Sequence, residues 1–457
     1  MTSTASTRVS PRRPSRFGSR GGRDVRPGVV ALLGLGVAPA LLTVAHLLFG
    51  ANQAAASAWL TASLGVVLLV GAALPLRRAA AELDGVTVPL VLFGLVLAAA
   101  AWSLTPWGPG GAHPAWSWAG VEPGALTVER GATRLEIVKL LGLACVFVLG
   151  ALQAASRRNA QAAIEIIVWV GAAYAAISLL TFLSGAQVAQ GGRLTGGFLS
   201  ANSGGTVFGI LIVLSLALLL RDWKRASARE VSRRLTAVAM PTAATVLATV
   251  CLLLTASRAA LVATLVAASV LLVWTLAGGR GGRGGIAIAA GLLFLVAAVL
   301  TLGGNDLLWS RLGQDDPTLG GRAEVFATHW NAFLASPLFG WGLGSFDVVN
   351  LQLMTAETAP ALWTIRAAHN VYLQWLEEAG LIGALPMFGL IGWIVGGAML
   401  RARRAGTGQT LLIGLVCANL VVLVHGLTDF ALQVPSIAAF WSLLLGLQFG
   451  FGQARGG

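Results

Sequence analysis

A histidine and two glutamates stand at the start of an apolar run in the segment "AAHNVYLQWLEEAGLIG", residues 367–383. The chain contains only 5 histidines, so the position of His369 at this boundary suggests chemistry. An imidazole has an unperturbed pKa near neutrality, which suits it to accept a proton from a hydroxyl group. The alternative is a histidine that serves only packing or the surface. Asn370 is placed to cap the helix that follows it.

The two glutamates of this segment are too far from the imidazole to orient it. If residues 369–378 form one helix, Glu377 lies about 12 Å along its axis from His369, and Glu378 is further away on the opposite face. We therefore expect the glutamates to anchor the start of the helix or to bind a polar ligand. Arg366, three residues before His369, either contacts a substrate or is solvated, and the sequence does not separate these alternatives.

Three arginines form the second group of candidates. Arg258 lies in "LLLTASRAALVATL", and burying a cation in such an apolar run costs about 2.5–3.5 kcal/mol. It either extends to lipid headgroups or faces a cavity and binds an anion through bidentate contacts. Arg193 lies in "QGGRLTGGFLSANSGG", whose glycines allow close approach of the backbone to a ligand. Arg322 in "LGGRAEVFATHW" is expected at a helix N-terminus, where the local potential favours phosphate.

A further polar pair follows in the segment "HGLTDF". Asp429 comes four residues after His425, a spacing that brings two side chains together on one face of a helix. The pair either supports the candidate base or is a structural pair that closes a helical bundle.

Composition indicates what kind of protein positions these residues. Of 457 residues, 56% are hydrophobic and 11% are charged, whereas soluble domains carry roughly 25% charged residues. Apolar runs of about 18 to 25 residues recur, the length that crosses a bilayer. The sequence predicts an all-α polytopic membrane protein with about 12 transmembrane helices. These are expected at 28–50, 57–76, 86–104, 135–152, 163–184, 203–220, 238–256, 259–277, 286–303, 380–400, 410–427 and 436–452.

The distribution of Lys and Arg predicts the orientation. With the N-terminus in the cytoplasm, most of the 31 basic residues fall on the cytoplasmic side, and both termini are cytoplasmic. The net charge of +13 is then a topology signal, and binding of nucleic acid is disfavoured because the charges are scattered over short loops. We divide the chain into a disordered basic tail (1–27), helices 1–9 (28–303), a large periplasmic loop (304–379) and helices 10–12 (380–457).

Two expectations concern the loops and the cysteines. The large loop contains amphipathic pieces such as "AEVFATHWNAFLAS", so we expect short helices that lie on the membrane surface. The cysteines at 145, 251 and 417 lie in apolar runs without metal-binding spacing, and we expect them to be small core residues.

At these residues the sequence resembles the O-antigen ligase/polymerase family of bacterial polytopic membrane glycosyltransferases. Five motifs occur in the family's order and cover roughly residues 190–440. They read "GRLTGGFLSANSGG", "TASRAALVA", "GRAEVFATHWNAFLASPLFGWGLGSF", "AHNVYLQWLEEAGLIG" and "HGLTDFALQVPSIAAFW".

The resemblance implies a reaction at the periplasmic face of the bacterial inner membrane. A glycan linked to undecaprenyl pyrophosphate is transferred, with inversion and without a metal or other cofactor, to a sugar hydroxyl of a growing glycan or of lipid A–core. Arg258, Arg322 and Arg193 would hold the pyrophosphate, and His369 would be the base. The candidates for acceptor binding or support are Asn370, Arg366, Glu377, Asp429 and His425.

Other activities remain open from the sequence. The segments "SANSGG" and "HGLTDFALQVP" favour a polymerase of O-antigen or exopolysaccharide repeats, with the O-antigen ligase as the alternative. A polytopic transporter would have a similar layout, but the two halves show no internal repeat and the polar residues gather at the outer surface. A flippase for the lipid-linked glycan would need the arginines but not His369.

Overall fold

The computed structural model describes residues 29–73, 85–187, 191–226, 231–277, 317–403 and 409–453, and within these ranges the chain forms helices and no strands. The helices are α1 (Val29–Leu47), α2 (Ala54–Ala73), α3 (Thr87–Ser103), α4 (Ala115–Trp118), α5 (Arg130–Gln153), α6 (Arg157–Leu183), α7 (Ala201–Arg225), α8 (Val231–Leu254), α9 (Arg258–Ala277), α10 (Pro317–Ala335), α11 (Phe346–Leu353), α12 (Ala359–Leu362), α13 (Val371–Ala402), α14 (Gln409–His425) and α15 (Pro435–Gln453).

Seven of these helices are long and apolar enough to cross a membrane, namely α5, α6, α7, α8, α9, α13 and α15. Four shorter apolar helices, within α1, α2, α3 and α14, match other predicted spans. The all-helical fold with several candidate membrane spans is therefore confirmed for the described ranges. The tail (1–27) and the span predicted at 286–303 lie outside them, so the total of about twelve spans stays a prediction.

Helices α7 and α15 form the centre of the bundle, since most of their apolar residues are buried by neighbouring helices. Glycines allow α15 to approach α5 closely. A Cβ at Gly150 of α5 would lie 2.5 Å from the Leu443 carbonyl oxygen, and one at Gly450 would overlap the Ala151 backbone. Small residues are the usual means by which membrane helices pack closely.

The expectation that all three cysteines are core residues is wrong for one of them. Cys251 and Cys417 are buried, but Cys145 is exposed on the face of α5 that also exposes Val138, Leu141 and Val148. In a membrane helix the outward face is as apolar as the core, so an apolar run alone does not tell which face packs inside.

A break in α13 shapes the region around the candidate residues. Gly380 has φ +58° and ψ −173°, and it divides the helix into residues 371–379 and 381–402. The carbonyl groups that the break exposes accept hydrogen bonds from the 336–345 segment, as in Trp341 N to Glu377 O (2.9 Å). Leu381 N in turn donates to Pro337 O (2.9 Å). A side chain at position 380 would overlap the Leu338 carbonyl oxygen.

The described part of the predicted large loop contains helices α10, α11 and α12. Helix α10, with 19 residues, is longer than the short helices expected, and the location of the loop at the membrane surface stays a prediction. The end of the bundle that lies opposite the candidate residues is rich in cations. At that end α6 begins at Arg157 and α7 ends at Arg225. Arg221, near the end of α7, pairs with Glu165 at 2.7 Å.

Candidate functional site

Two loops meet at the end of the bundle where α7 begins and α8 ends. The backbone N–H of Leu194, in the glycine-rich loop before α7, donates to the Leu254 carbonyl (2.9 Å) at the end of α8. The Arg193 Nε donates to Thr255 O (2.7 Å), in the corner between α8 and α9. Arg193 is thus half-buried and fastens the loop to the corner that precedes Arg258.

Arg258 is the first residue of α9, so the expected short connection is confirmed as the three residues 255–257. Ala256 in this corner has φ +48°, a conformation rare for residues other than glycine. Gly205 of α7 allows the corner to pack closely, since a Cβ there would lie 3.2 Å from Ser257 Cβ. The half-buried Arg258 therefore stands at the end of the bundle beside Arg193.

Asn202 connects this corner to the turn after α14. Its Oδ1 accepts a hydrogen bond from the Arg193 guanidinium (2.9 Å), and its Nδ2 donates to Asp429 Oδ1 (3.2 Å). Asp429 is fully buried, and its Oδ2 has no hydrogen-bond partner among the described residues. A cation, an amide and a carboxylate thus form a continuous chain with one carboxylate oxygen left over.

The predicted pairing of His425 and Asp429 on one helical face is wrong, because α14 ends at His425 and Asp429 lies in the following turn. The Nδ1 of His425 instead lies 2.7 Å from the Thr206 hydroxyl of α7. Asp429 still interacts electrostatically with His425 and with His369. The turn therefore places one carboxylate near two imidazoles.

His369 lies directly before α13 with φ +53°. Its ring contacts Phe430 edge-on, with 4.8 Å between centroids, and its Nδ1 is buried without a hydrogen-bond partner in the described ranges. The predicted capping by Asn370 is confirmed, since its Oδ1 accepts from Tyr372 N and Leu373 N (both 3.0 Å). Strained backbone and an unsatisfied buried polar atom are both common at functional sites.

The electrostatic surroundings favour a neutral His369. Burial lowers the pKa of His369 below its usual value of 6.5, Asp429 raises it, and Arg322 lowers it. The net direction is downward, so the ring is neutral at pH 7 and able to accept a proton. The nearby carboxylate of Asp429 would stabilise the imidazolium that results.

Arg322 lies on α10 and interacts electrostatically with His369. The expectation that Arg322 stands at a helix N-terminus is wrong, because α10 already begins at Pro317 and includes Gly320 and Gly321. The guanidinium therefore lies in the second turn of the helix. Its electrostatic effect on both His369 and His425 indicates that it lies near these rings.

The remaining candidates lie elsewhere. Arg366 is largely exposed and lies 4.0 Å from the exposed Asp347 carboxylate. Glu377 is fully buried against His329, and Glu378 is buried where it accepts from Gly344 N (2.8 Å). The exclusion of the glutamates from orienting His369 is consistent with these contacts, since Glu377 joins α13 to α10 and Glu378 joins α13 to the 336–345 segment.

Sequence reasoning did not single out Asn202, Thr206 and His329. Asn202 and Thr206 lie on one face of α7, four residues apart, and only their partners in the α14 turn distinguish them from ordinary polar residues of a helix. Within the described ranges, no group of three or more His, Cys, Asp or Glu side chains is arranged to hold a metal ion.

A cavity of about 680 Å³ lies along α13. Its wall includes Val371 and Gly426, which are joined by a backbone hydrogen bond of 2.8 Å. From there it follows α13 to Val395 and is bounded by α3, α5 and α15, mostly through apolar side chains. Val371 is two residues from His369, so one part of the cavity wall follows the candidate base in the chain.

Part of the chain is similar to a known protein family. Residues 243–388 match a family described as O-antigen ligase. The matched range contains Arg258, Arg322 and His369 and ends within α13, whereas Arg193 and Asp429 lie outside it. No curated protein matches the chain. The match agrees with the resemblance that the motifs indicated.

Proposed function

We propose that this chain, whose residues 243–388 match the O-antigen ligase family, transfers a glycan from undecaprenyl pyrophosphate to a sugar hydroxyl. The observation that carries the proposal is the convergence of cations and a neutral imidazole at one end of the bundle. Arg193 is joined through Asn202 to Asp429, and Asp429 and Arg322 both interact with His369. Such a transfer requires cations that stabilise an anionic leaving group and a base that accepts the proton of an alcohol.

In the proposed step the acceptor oxygen attacks the anomeric carbon from the face opposite the diphosphate. The bond between this carbon and the diphosphate oxygen breaks, and the configuration is inverted. The hydroxyl proton passes to His369, and the diphosphate leaves with the electron pair of the broken bond. The imidazolium then returns the proton to water.

The arginines stabilise the charge that develops on the departing diphosphate. Arg258 at the corner and Arg322 on α10 would contact its oxygens from two sides, and Arg193 adds positive potential while holding the corner in place. Preorganised donors of this kind contribute about 3–4 kcal/mol each in enzymes where one has been removed. The guanidinium group suits this role because its fork of N–H groups matches a phosphate.

The apolar cavity supports a lipid-linked donor. Its wall includes Val371 and Gly426, near the proposed base in the chain, and is mostly apolar along α13. An isoprenoid chain that enters between the helices would leave its diphosphate at the bundle end. The cation-rich opposite end supports a cytoplasmic location for that end, so the proposed reaction takes place at the periplasmic face of the inner membrane.

We favour polymerisation of O-antigen or exopolysaccharide repeats, in which the acceptor is the next lipid-linked repeat. The alternative is ligation to lipid A–core. The chemistry at His369 is the same in the two reactions, and only the acceptor differs.

The proposal is tested with purified protein in lipid nanodiscs and an undecaprenyl-pyrophosphate-linked repeat, with and without lipid A–core and with EDTA. A ladder of lengthened glycans without added core indicates a polymerase, and transfer only to core indicates a ligase. Flipping of the donor measured in vesicles, with neither product formed by the native protein or by His369→Ala, would refute the transferase and favour a flippase.

A further inference from the structure

A second histidine, His329, is fully buried where α10 packs against the first part of α13. Its Nδ1 lies 2.9 Å from each carboxylate oxygen of Glu377, which is also fully buried. The His329 ring stacks on Phe346 with 4.3 Å between centroids. The step proposed above uses none of these side chains.

The third partner, Asn350, determines where one proton of this group lies. Asn350 Nδ2 donates to the Leu362 carbonyl (2.9 Å), so its Oδ1 faces His329 Nε2 at 3.2 Å. The Nε2 must therefore carry a hydrogen. One further proton is then shared between Nδ1 and Glu377, and the pair is neutral overall whichever atom holds it. Complete hydrogen bonding is what makes such a buried pair tolerable.

The pair lies two helical turns beyond the candidate site on both helices. On α10, His329 follows Arg322 by seven residues, which returns it to the same face about 10 Å further along. On α13, Glu377 follows the capping residue Asn370 by the same number of residues. Since Arg322 interacts with His369, the two helices run side by side in the same direction and meet at two levels.

A hydrogen-bonded pair fixes the axial position of one helix against another, which apolar packing alone leaves adjustable. Apolar side chains would hold α10 against α13 over a range of axial positions, whereas a bond of 2.9 Å between His329 and Glu377 has one register. A shift of about 1 Å at a catalytic site costs up to about a hundredfold in rate. The position of the Arg322 guanidinium along α13 therefore depends on this pair.

We propose that His329 and Glu377 are positioning residues whose buried pair sets the axial position of α10 and so holds Arg322 beside His369. The effect on catalysis rests on the function proposed above, while the effect on α10 does not.

The test uses three variants of the full-length protein in nanodiscs. His329→Leu/Glu377→Leu removes the pair without leaving a buried charge unpaired, which favours retention of the fold. Glu377→Gln keeps a donor for the Nδ1 of His329 and is the conservative variant. Asn419→Leu/Gln448→Leu is the matched control, because it removes a buried polar pair (2.6 Å) between α14 and α15. The further bond from Gln448 to Ile394 O lies in the part of α13 after Gly380, and neither bond involves α10.

Two quantities are measured for each folded variant: backbone amide exchange of residues 317–335 and transfer kinetics. For the double leucine variant at 329 and 377 we expect faster exchange in α10 alone, a higher KM for the lipid-pyrophosphate donor and a loss in kcat/KM of at least about tenfold. Glu377→Gln should restore both quantities to within about threefold of the native protein, the range of modest hydrogen-bond changes. The control pair should change neither quantity.

The outcomes separate the two proposals. Native exchange in α10 together with native kinetics in the folded leucine variant would overturn the positioning role. If that variant does not fold, slow exchange and native kinetics in folded His329→Ala would do the same. If the native protein transfers no glycan, the function is refuted, and the exchange of α10 still decides whether the pair holds that helix.

Discussion

Asn202 and Asp429 are 227 positions apart in the chain, yet the Asn202 amide donates to the Asp429 carboxylate at 3.2 Å. Because the same amide accepts from Arg193, one side chain joins the glycine-rich loop before α7 to the turn after α14. Asp429 in turn interacts with His369. Asn202 is thus the link between the cationic corner and the candidate base.

The first prediction concerns this link. Asn202→Leu should lower kcat/KM about a hundredfold, because Arg193 and Asp429 both lose a half-buried hydrogen-bond partner and move relative to His369. Steady-state transfer kinetics on folded protein measure the effect. Asn159→Leu, near the start of α6 at the other end of the bundle, is the control and should keep native activity; equal losses in both variants would contradict the role of Asn202.

The second prediction concerns His369. Replacement by Ala should reduce transfer by about 10²- to 10⁴-fold, the usual contribution of a general base. Binding of the donor, measured with the radiolabelled lipid-pyrophosphate glycan, should remain because the arginines are intact. His113→Ala, in the loop that packs on Trp341, serves as the control histidine. Product formation at the native rate by the His369 variant would remove it from the mechanism.

The third prediction is a pH dependence. Burial lowers the pKa of His369, and a base is active only when it is unprotonated. The rate should therefore stay high below pH 6.5 and fall only as the pH drops through the lowered pKa. Asp429→Asn removes a contribution that raises this pKa, and Arg322→Gln removes one that lowers it.

The acid limb of kcat/KM should consequently move to lower pH in Asp429→Asn and to higher pH in Arg322→Gln. Profiles measured from pH 4 to 9 on both variants check this. Shifts in the same direction, or an acid limb that stays fixed in both, would mean that another group titrates.

The fourth prediction concerns the break in α13. Gly380→Ala should lower the melting temperature of the protein in detergent, because the residue has φ +58° and an added Cβ would overlap the Leu338 carbonyl. A strained backbone conformation of this kind costs about 1–3 kcal/mol. Gly392→Ala is the matched change in the same helix, since a Cβ there meets nothing within 4 Å, and it should be neutral or slightly stabilising. Equal melting temperatures for the two variants would contradict the account of the break.

Much of the architecture was predictable because the composition of a segment by itself indicates whether it forms a membrane helix. Every polar backbone group in lipid must be satisfied within its own helix, so long apolar runs predict helices without knowledge of their partners. The short connection at residues 255–257 and the cap at Asn370 are likewise local features. The start of α10 was misplaced because Gly320 and Gly321 suggested a boundary, while the structure continues the helix through them.

By itself, the sequence determined that this is a helical membrane protein, that it resembles the O-antigen ligase family, and that His369 and Arg258 occur where a polar residue is costly. The tertiary structure decided that Asp429 bonds to Asn202 instead of sharing a helical face with His425, and that Glu377 pairs with the overlooked His329. The reason is physical: helix formation depends on neighbours within a few residues, whereas these partners are 48 and 227 positions apart. Only the packing of the helices brings them together.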